Sequence, residues 1–341
     1  MRVGFDARVL AHGNVSGVER YTAALYDALG KSACTLHGMR PSVASRVAQH
    51  LWEHVKLPLA AAADDVLVCP ANIAPLYLPS KLPLVLTLHD VAFLTIPQSF
   101  SPAFRRYYRY VVPRNIRRAG RIVTVSKTSR DEIIRFFPEA AAKIEVVFPG
   151  VDPVFRYKQT VKKRQILYVG SINERKNVAG VIEAFEMLKT DATLLLVGSF
   201  HENFSLSERT RKALKRARMH PNIAFREGLS SGELAAEYAR SVLLVFPSFY
   251  EGFGLPVLEA MACGTPVVTS QLSSMPEVGA EAPLYCDPND AADIAKMMAN
   301  VLRNGELRRR MIEKGLERAA QFTWDETAKA YCRIFEEVVK C

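Results

Sequence analysis

The sequence predicts an α/β protein built from two parallel sheets, each covered by helices on both faces. Three observations carry that expectation. Short apolar, β-branched runs alternate with amphipathic helical stretches along most of the chain. The 341 residues suit two domains. The alternation breaks once, between Pro149 and Arg164, and then begins again.

In the first half, Arg2–Val9 reads as a strand, and Ser16-Gly17-Val18-Glu19-Arg20-Tyr21 turns into a helix with Tyr21, Leu25 and Leu29 on one face. Buried strands follow at Asp65–Cys69, Pro83–His89, Arg121–Ser126 and Lys143–Phe148, with helices at 44–56, 101–119 and 128–137. Pro113 is expected to kink or split the second of these helices. Pro149-Gly150-Val151-Asp152-Pro153 is a tight turn, and the basic stretch Arg156–Arg164 reads as a linker.

The second half runs strand Gln165–Val169, helix Val178–Leu188, strand Ala192–Val197, helix 205–218, strand 222–226, helix 231–240 and strand Val242–Phe246. Ser230 and Glu233 form a capping-box signature, as do Thr323 and Glu326. The tail is helical over Asp290–Leu302, Leu307–Ala320 and Trp324–Val339. Residues 1–155 and 165–322 each read as a Rossmann-type unit, and the final helix is expected to cross back onto the first.

Composition is that of a globular protein, with 49% hydrophobic and 23% charged residues. No run of about 18 apolar residues is present, so no spanning helix is expected. The N-terminus reads as a strand rather than a signal peptide. Six scattered cysteines without a CxxC pair argue for a reducing compartment and against structural zinc. Net charge is +10, and residues 1–160 hold 21 Lys and Arg against 12 Asp and Glu. The basic excess therefore belongs to the first half, which suggests different partners for the two domains.

The most informative stretch is Phe246–Ser270, FPSFYEGFGLPVLEAMACGTPVVTS. It reads as strand, glycine loop, short helix and strand, with Pro256 in the first helical turn and Gly264 as the C-terminal glycine. A glycine loop at a helix N-terminus, beyond the carboxyl end of a strand, suits an anion. Glu251 and Glu259 flank it, and bare carboxylates would repel phosphate but accept from sugar hydroxyls. The stretch therefore fits a ligand carrying both phosphate and sugar; the plainer account is a strand–helix turn with a capping acid.

A second anchor is Gly170–Asn177, GSINERKN, where Arg175 and Lys176 open the next helix. Side by side, a guanidinium and an ammonium can neutralise a diphosphate. Cations are disfavoured at helix N-termini, so their placement there wants a reason.

Between Phe104 and Arg121 stand seven arginines and four aromatics. Arg105–Arg121 suits an anionic membrane surface, or a solvated basic face with its tyrosines packed on the core. No nucleic-acid motif accompanies it. No GxGxxG follows the first strand, because Gly13 and Gly17 are wrongly spaced, and no GxxxxGK[ST] occurs, which argues against nicotinamide dehydrogenases and P-loop NTPases.

Together GSINERKN, FYEGFGLPVLEAMACGTPVV and the two-unit pattern resemble the retaining GT-B glycosyltransferases of family 4, group 1. Glu251 and Glu259 match the ends of that family's E-x7-E motif. Within the family the chain is similar to bacterial mannosyltransferases of O-antigen or exopolysaccharide synthesis. The resemblance implies a GT-B fold, two Rossmann-like domains facing a cleft, with an acceptor-binding first domain and a nucleotide-sugar-binding second.

It further implies that Arg175 and Lys176 bind the donor diphosphate, that Glu259 holds the ribose hydroxyls, and that Glu251 lies by the donor sugar. Backbone N–H groups of Phe253, Gly254 and Leu255 would approach its hydroxyls or the β-phosphate. Gly17 would let the first-domain loop near the phosphates, His89 would contact the sugar, and Leu229, Ser230 and Glu233 would border the base. The family needs no metal, so none is expected. GDP-mannose is the expected donor, with UDP-hexoses as alternatives and a non-catalytic sugar-nucleotide-binding subunit as the other reading. The acceptor would be a glycan or polyprenyl-linked oligosaccharide, and the location cytoplasmic, at the inner face of the membrane.

Overall fold

The computed structural model describes residues 1–11, 17–42, 45–199 and 206–340. Gly13 and Ser16, and the first residues of the helices expected at 44 and 205, lie outside them. The chain divides into two compact units: residues 1–91, 102–150 and 323–341 in one, and 92–101 with 151–322 in the other.

The first unit holds β1 (Arg2–Asp6), α1 (Gly17–Gly30), β2 (Thr35–Met39), α2 (Arg46–Ala60), β3 (Val66–Cys69) and β4 (Leu84–Thr87). After the short helix α3 (Ala92–Thr95), which groups with the second unit, come α4 (Pro102–Arg118), β5 (Arg121–Thr124), α5 (Lys127–Phe136) and β6 (Ile144–Val146). The six strands form one parallel sheet in the order β2-β1-β3-β4-β5-β6. Its inner strands β3 and β4 are buried throughout, VLVC and LVLT, which is why their residues are apolar on both faces.

Two expectations are corrected here. β2 was not foreseen from the sequence: TLHGM is a half-exposed edge strand with no continuous apolar run to mark it. Pro113 neither kinks α4 into two elements nor ends it. The lost backbone bond costs about 3 kcal/mol, offset by burial of Val111, Val112 and Ile116 around it. Asn115 adds a clamp, its side chain accepting from the Ala74 N–H at 2.9 Å and donating to the Ala74 carbonyl at 3.0 Å.

The second unit holds β7 (Lys163–Val169), α6 (Val178–Met187), β8 (Thr193–Val197), α7 (Glu208–Met219), β9 (Ile223–Arg226), α8 (Ser231–Arg240) and β10 (Ser241–Phe246). Then follow α9 (Leu255–Ala262), β11 (Val267–Ser270), α10 (Met275–Gly279), β12 (Leu284–Cys286), α11 (Ala291–Arg303) and α12 (Gly305–Ala319). Its parallel sheet runs β12-β11-β10-β7-β8-β9. The three-residue edge strand β12 also escaped the sequence reading. The basic stretch read as a linker is part of this unit: Lys163 and Arg164 begin β7, and the Lys162 ammonium donates to the Gly264 carbonyl at 3.1 Å. Burial pushes the Lys162 pKa down to about 8.

The last helix, α13 (Trp324–Lys340), belongs to the first unit, as expected from the sequence. A buried hydroxyl chain holds it there: Tyr331 Oη lies 2.8 Å from Tyr21 Oη on α1 and 2.6 Å from Thr87 Oγ1 on β4. The Thr323 hydroxyl accepts from the Glu326 N–H at 3.2 Å, while the Glu326 carboxylate takes Lys329 at 2.7 Å. α13 also brings Cys332 to Cys34, whose sulfurs stand 3.4 Å apart, and both are free thiols.

Replacing Tyr331 by Phe keeps the ring and strands the Tyr21 and Thr87 hydroxyls. A loss of about 1–3 kcal/mol is expected, read as a lower denaturation midpoint in urea. A second test concerns Asp6 at the end of β1, which burial and then Glu53 push up to about pKa 7 against the pull of Arg8. Because the folded pKa exceeds the unfolded value, Asp6's contribution is full at acid pH and declines as pH rises toward 7. Asp6→Asn is expected to flatten the fall in melting temperature between about pH 4 and 7; an unchanged slope would refute it.

Candidate functional site

In the second sheet, chain order runs outward from β7 to β9 and then returns to place β10 on the other side of β7. Such a reversal opens a crevice at the carboxyl ends of the two central strands. The loops leaving β7 and β10 there carry GSINERKN and the glycine loop.

Gly170, the first residue after β7, has φ +158°, and a Cβ on it would meet the Lys176 side chain at 2.7 Å. The chain then makes a 3-10 turn, Glu174–Lys176, capped by the Asn173 side chain accepting from the Lys176 N–H at 3.1 Å. Asn177 is left-handed at φ 54° and caps α6 by accepting from the Gly180 N–H at 3.2 Å. Its amide donates to the carbonyls of Pro247 at 3.2 Å and Pro288 at 2.7 Å, strapping the β7 loop to those after β10 and β12. Arg175 and Lys176 therefore precede α6 rather than opening it. The dipole argument made for them from sequence does not apply.

What brings the two cations together is Glu251. Its Oε2 accepts from Arg175 Nη1 at 2.9 Å and its Oε1 from Lys176 Nζ at 2.9 Å, while Ser248 Oγ donates to Oε1 at 3.1 Å. The three side chains are only 16%, 11% and 9% exposed. Arg175 Nη1 also donates to the Tyr250 carbonyl at 2.8 Å, and its own carbonyl accepts from the Phe249 N–H at 2.8 Å. Lys176 Nζ lies 4.8 Å from the centre of the Phe246 ring.

Burial raises the Glu251 carboxyl, but Arg175, Lys176 and the hydrogen bonds outweigh it and hold its pKa below the usual glutamate value. Lys176 is pushed down by burial, against the pull of Glu251. By formal charge, two cations against one carboxylate, the cluster is one unit positive.

Gly254 starts α9 at φ 114°, with no side chain to cap the helix, and a Cβ there would meet Met275 Cε at 2.4 Å. The first turn of α9 has no intrahelical partners for its N–H groups, so Gly254 and Leu255 present an N-terminal dipole toward the loop. Gly264, just past α9, takes the expected left-handed conformation at φ 68°. Glu259, one of the two motif glutamates, is 2% exposed and accepts from the Tyr238 hydroxyl at 3.0 Å.

Besides Ser248, two further serines missed from sequence complete the loop. Ser273 and Ser274 donate to the Glu251 carbonyl at 2.6 and 2.9 Å, and Ser274 also to that of Phe253 at 2.7 Å. Ser273 is itself left-handed, φ 56°. Among the described residues only four non-glycines have positive φ, and Asn177 and Ser273 hold this cluster. The adjacent Ser-Ser ahead of Met-Pro was the available signal.

Leu229, Ser230 and Glu233 lie at the start of α8. Their capping box is formed in full, with Glu233 accepting from the Ser230 N–H at 2.9 Å and its hydroxyl at 2.7 Å.

In the first unit His89 follows β4. Its Nε2 lies 2.8 Å from the Pro70 carbonyl and its N–H donates to Asn72 Oδ1 at 2.8 Å. The Pro70 carbonyl is a hydrogen-bond partner of the ring. A carbonyl only accepts, so Nε2 carries the proton and Nδ1 is the acceptor. Burial lowers the His89 pKa and keeps the ring neutral. Gly17 begins α1, where an added Cβ meets nothing within 4 Å.

Among the described residues no cluster of three or more His, Cys, Asp or Glu could hold a metal ion. No described helix is long and apolar enough to cross a membrane.

Residues 154–318 match the family model of the glycosyl transferases group 1, and residues 65–155 that of glycosyltransferase family 4. O-antigen chain mannosyltransferase B of Escherichia coli is 32% identical over 274 residues, which cover 75% of this chain and 72% of that protein. O-antigen chain mannosyltransferase RfbU of Salmonella typhimurium is 27% identical over 63% of this chain and 60% of its own. Among solved structures, sucrose-phosphate synthase from Thermosynechococcus elongatus aligns with a TM-score of 0.78 at 17% identity, covering 98% of both chains. HepE of Anabaena, solved with UDP-glucose, aligns at 0.77 and 16% identity over 99% of this chain and 100% of its own. The fold is thus GT-B, and the chain belongs to the group 1, family 4 glycosyltransferases and is a hexosyltransferase.

Proposed function

We infer that this enzyme transfers mannose from GDP-mannose, with retention, onto a glycan or lipid-linked oligosaccharide of O-antigen or exopolysaccharide synthesis, without a metal. The observation that carries the reading is the buried Arg175–Glu251–Lys176 cluster at the crevice between β7 and β10. Mannosyltransferase relatives favour mannose, and with it GDP as the carrier. The cellular site on this reading is the cytoplasm, where sugar nucleotides and the inner membrane leaflet meet.

Bond cleavage between the sugar C1 and the phosphate oxygen leaves negative charge on the departing diphosphate. Arg175 and Lys176 stabilise that charge, and preorganised cations in a water-poor site do so with little reorganisation. The α9 N-terminus adds a dipole of the same sign. Glu259 has the chemistry to accept ribose hydroxyls, and Nδ1 of His89 to accept from a sugar hydroxyl.

Glu251 is poorly suited to be a covalent nucleophile, since three donors already occupy its two oxygens. We therefore assign it to positioning the cations and meeting the sugar. In the front-face route, the acceptor oxygen bonds to C1 on the side the phosphate leaves. The acceptor proton passes to the departing phosphate oxygen.

Arg175→Ala and Lys176→Ala are each expected to lower kcat by about 10²–10³-fold, typical of losing one such stabilising group. Glu251→Gln should lose activity, and the wild-type enzyme incubated with donor should show no sugar adduct on Glu251 in mass spectra; a sugar covalently trapped on Glu251 would overturn the route.

Thermal shift separates the readings of donor and metal. GDP is expected to raise the melting temperature with or without EDTA, and Arg175→Ala to abolish the rise. A rise with UDP alone moves the donor to a UDP-hexose, and a rise that EDTA removes refutes metal independence. No rise with any nucleotide favours a subunit without catalysis.

A further inference from the structure

In the first unit β3 and β4 pair in parallel, with Cys69 opposite Leu86. β3 ends at Cys69, yet the pairing continues beyond it in altered form. In a parallel ladder one residue bonds, through its N–H and its carbonyl, to the two residues flanking its partner. Asn72 does this across Leu88. Its N–H donates to the Thr87 carbonyl at 3.0 Å, as a ladder residue would. Its side-chain Oδ1, in place of its main-chain carbonyl, accepts from the His89 N–H at 2.8 Å. On the other side the Leu88 N–H donates to the Val123 carbonyl of β5 at 2.8 Å. The main chain that carries His89 is therefore fixed from both neighbouring strands.

The same turn takes the ring. His89 Nε2 donates to the carbonyl of Pro70, the first residue after β3, at 2.8 Å. Tyr21 packs edge-on against the imidazole, with ring centres 4.6 Å apart, and its hydroxyl is held by Tyr331. Asn72 meets these demands in a left-handed conformation, φ 70°. Of the four described non-glycines with positive φ, two brace the Glu251 cluster and Asn72 is a third. Such backbone gathers where geometry is fixed for function. Glycine would take the conformation without the acceptor, and alanine would supply neither. Asn and Asp supply both.

We propose that Asn72 is a positioning residue for sugar transfer: it fixes the main chain of His89 so that the imidazole stays on the Pro70 carbonyl as the Nε2–H tautomer, with Nδ1 kept as the acceptor for a sugar hydroxyl. This rests on the reading of His89 as a sugar contact. Without Oδ1 the His89 N–H loses its partner, and the ring is no longer held in line with Pro70. A neutral imidazole off that carbonyl populates both tautomers, and the Nδ1–H form cannot accept at Nδ1.

Nitrogen NMR of the full chain, labelled in its histidine rings and assigned by the signal that His89→Ala removes, reads the tautomer directly. Wild type is expected to show Nε2–H alone, Asn72→Gly a mixture of both forms, and Asn72→Asp the wild-type pattern. An Asn72→Gly pattern identical to wild type refutes the proposal. GDP released from GDP-mannose gives the kinetic readout. Asn72→Gly is expected to lower kcat about tenfold or more and to leave the donor KM within about twofold, and Asn72→Asp to restore most of the loss. In a His89→Ala background, Asn72→Gly should cost nothing further. Losses that multiply refute the proposal and leave Asn72 a strand-end residue, as does a lower melting temperature with kcat unchanged. A His89→Ala enzyme as fast as wild type overturns instead the reading of His89 as a sugar contact, and a wild-type chain that releases no GDP overturns the donor. The ring pattern reports on Asn72 in either case.

Discussion

The Glu251 carboxylate between Arg175 and Lys176 is the constraint on which the second unit's design depends. Two cations at adjacent positions repel, and burial adds a desolvation cost to each. One carboxylate that reaches both relieves this, and it is reachable only because β7 and β10 are neighbours. The supporting geometry follows from that need. Asn177 straps the β7 loop to the ends of β10 and β12, while Ser273 and Ser274 tie down the backbone of residues 251–253. Left-handed backbone at Asn177 and Ser273 is the local cost of holding these contacts.

On the proposed reading, the same arrangement accounts for a phosphate site that contains an acid. Glu251 neutralises one of two cations and leaves a single excess positive charge. An entering diphosphate supplies further negative charge, which the cations and the α9 dipole can share. A site with both cations unpaired would be harder to keep folded while empty. A site with a second acid beside Glu251 would lose the attraction. Glu259 instead lies on α9, about one turn in from its start, bonded to Tyr238.

How much of this was legible depended on how local its causes are. The strand–glycine loop–helix at 246–264 was readable because Gly254, Pro256 and Gly264 act on their own backbone. The pairing of the two cations Arg175 and Lys176 was visible in sequence too, although the helix-dipole reason was not the physical one, since a 3-10 turn intervenes. Edge strands β2 and β12 were missed because they are short and need no apolar run. Continuity of α4 through Pro113 depends on packing and on Asn115 clamping a segment 41 residues away, which no window reveals. The Cys34–Cys332 approach joins residues 298 positions apart through α13. Val47, Leu51, Val55 and Leu59 on α2 are periodic in sequence, but periodicity alone assigns such residues to a core, and only solvent exposure reverses it.

That reversal also locates the protein's excess charge. Most of the net +10 lies in residues 1–160, yet the buried polar groups there, Asp6, Arg8 and Glu53, leave no large positive surplus inside. In the second unit, by contrast, the positive charge that matters is two side chains almost out of water. A cation buried with its counterion acts at short range on one ligand. Arginines in solvent on α4 act on a surface, weakly one by one and strongly in number, and only on a partner that is itself extended and negative. Exposed aliphatic residues on the neighbouring α2 are a second surface feature of this unit. Recognition of a soluble sugar nucleotide needs neither feature.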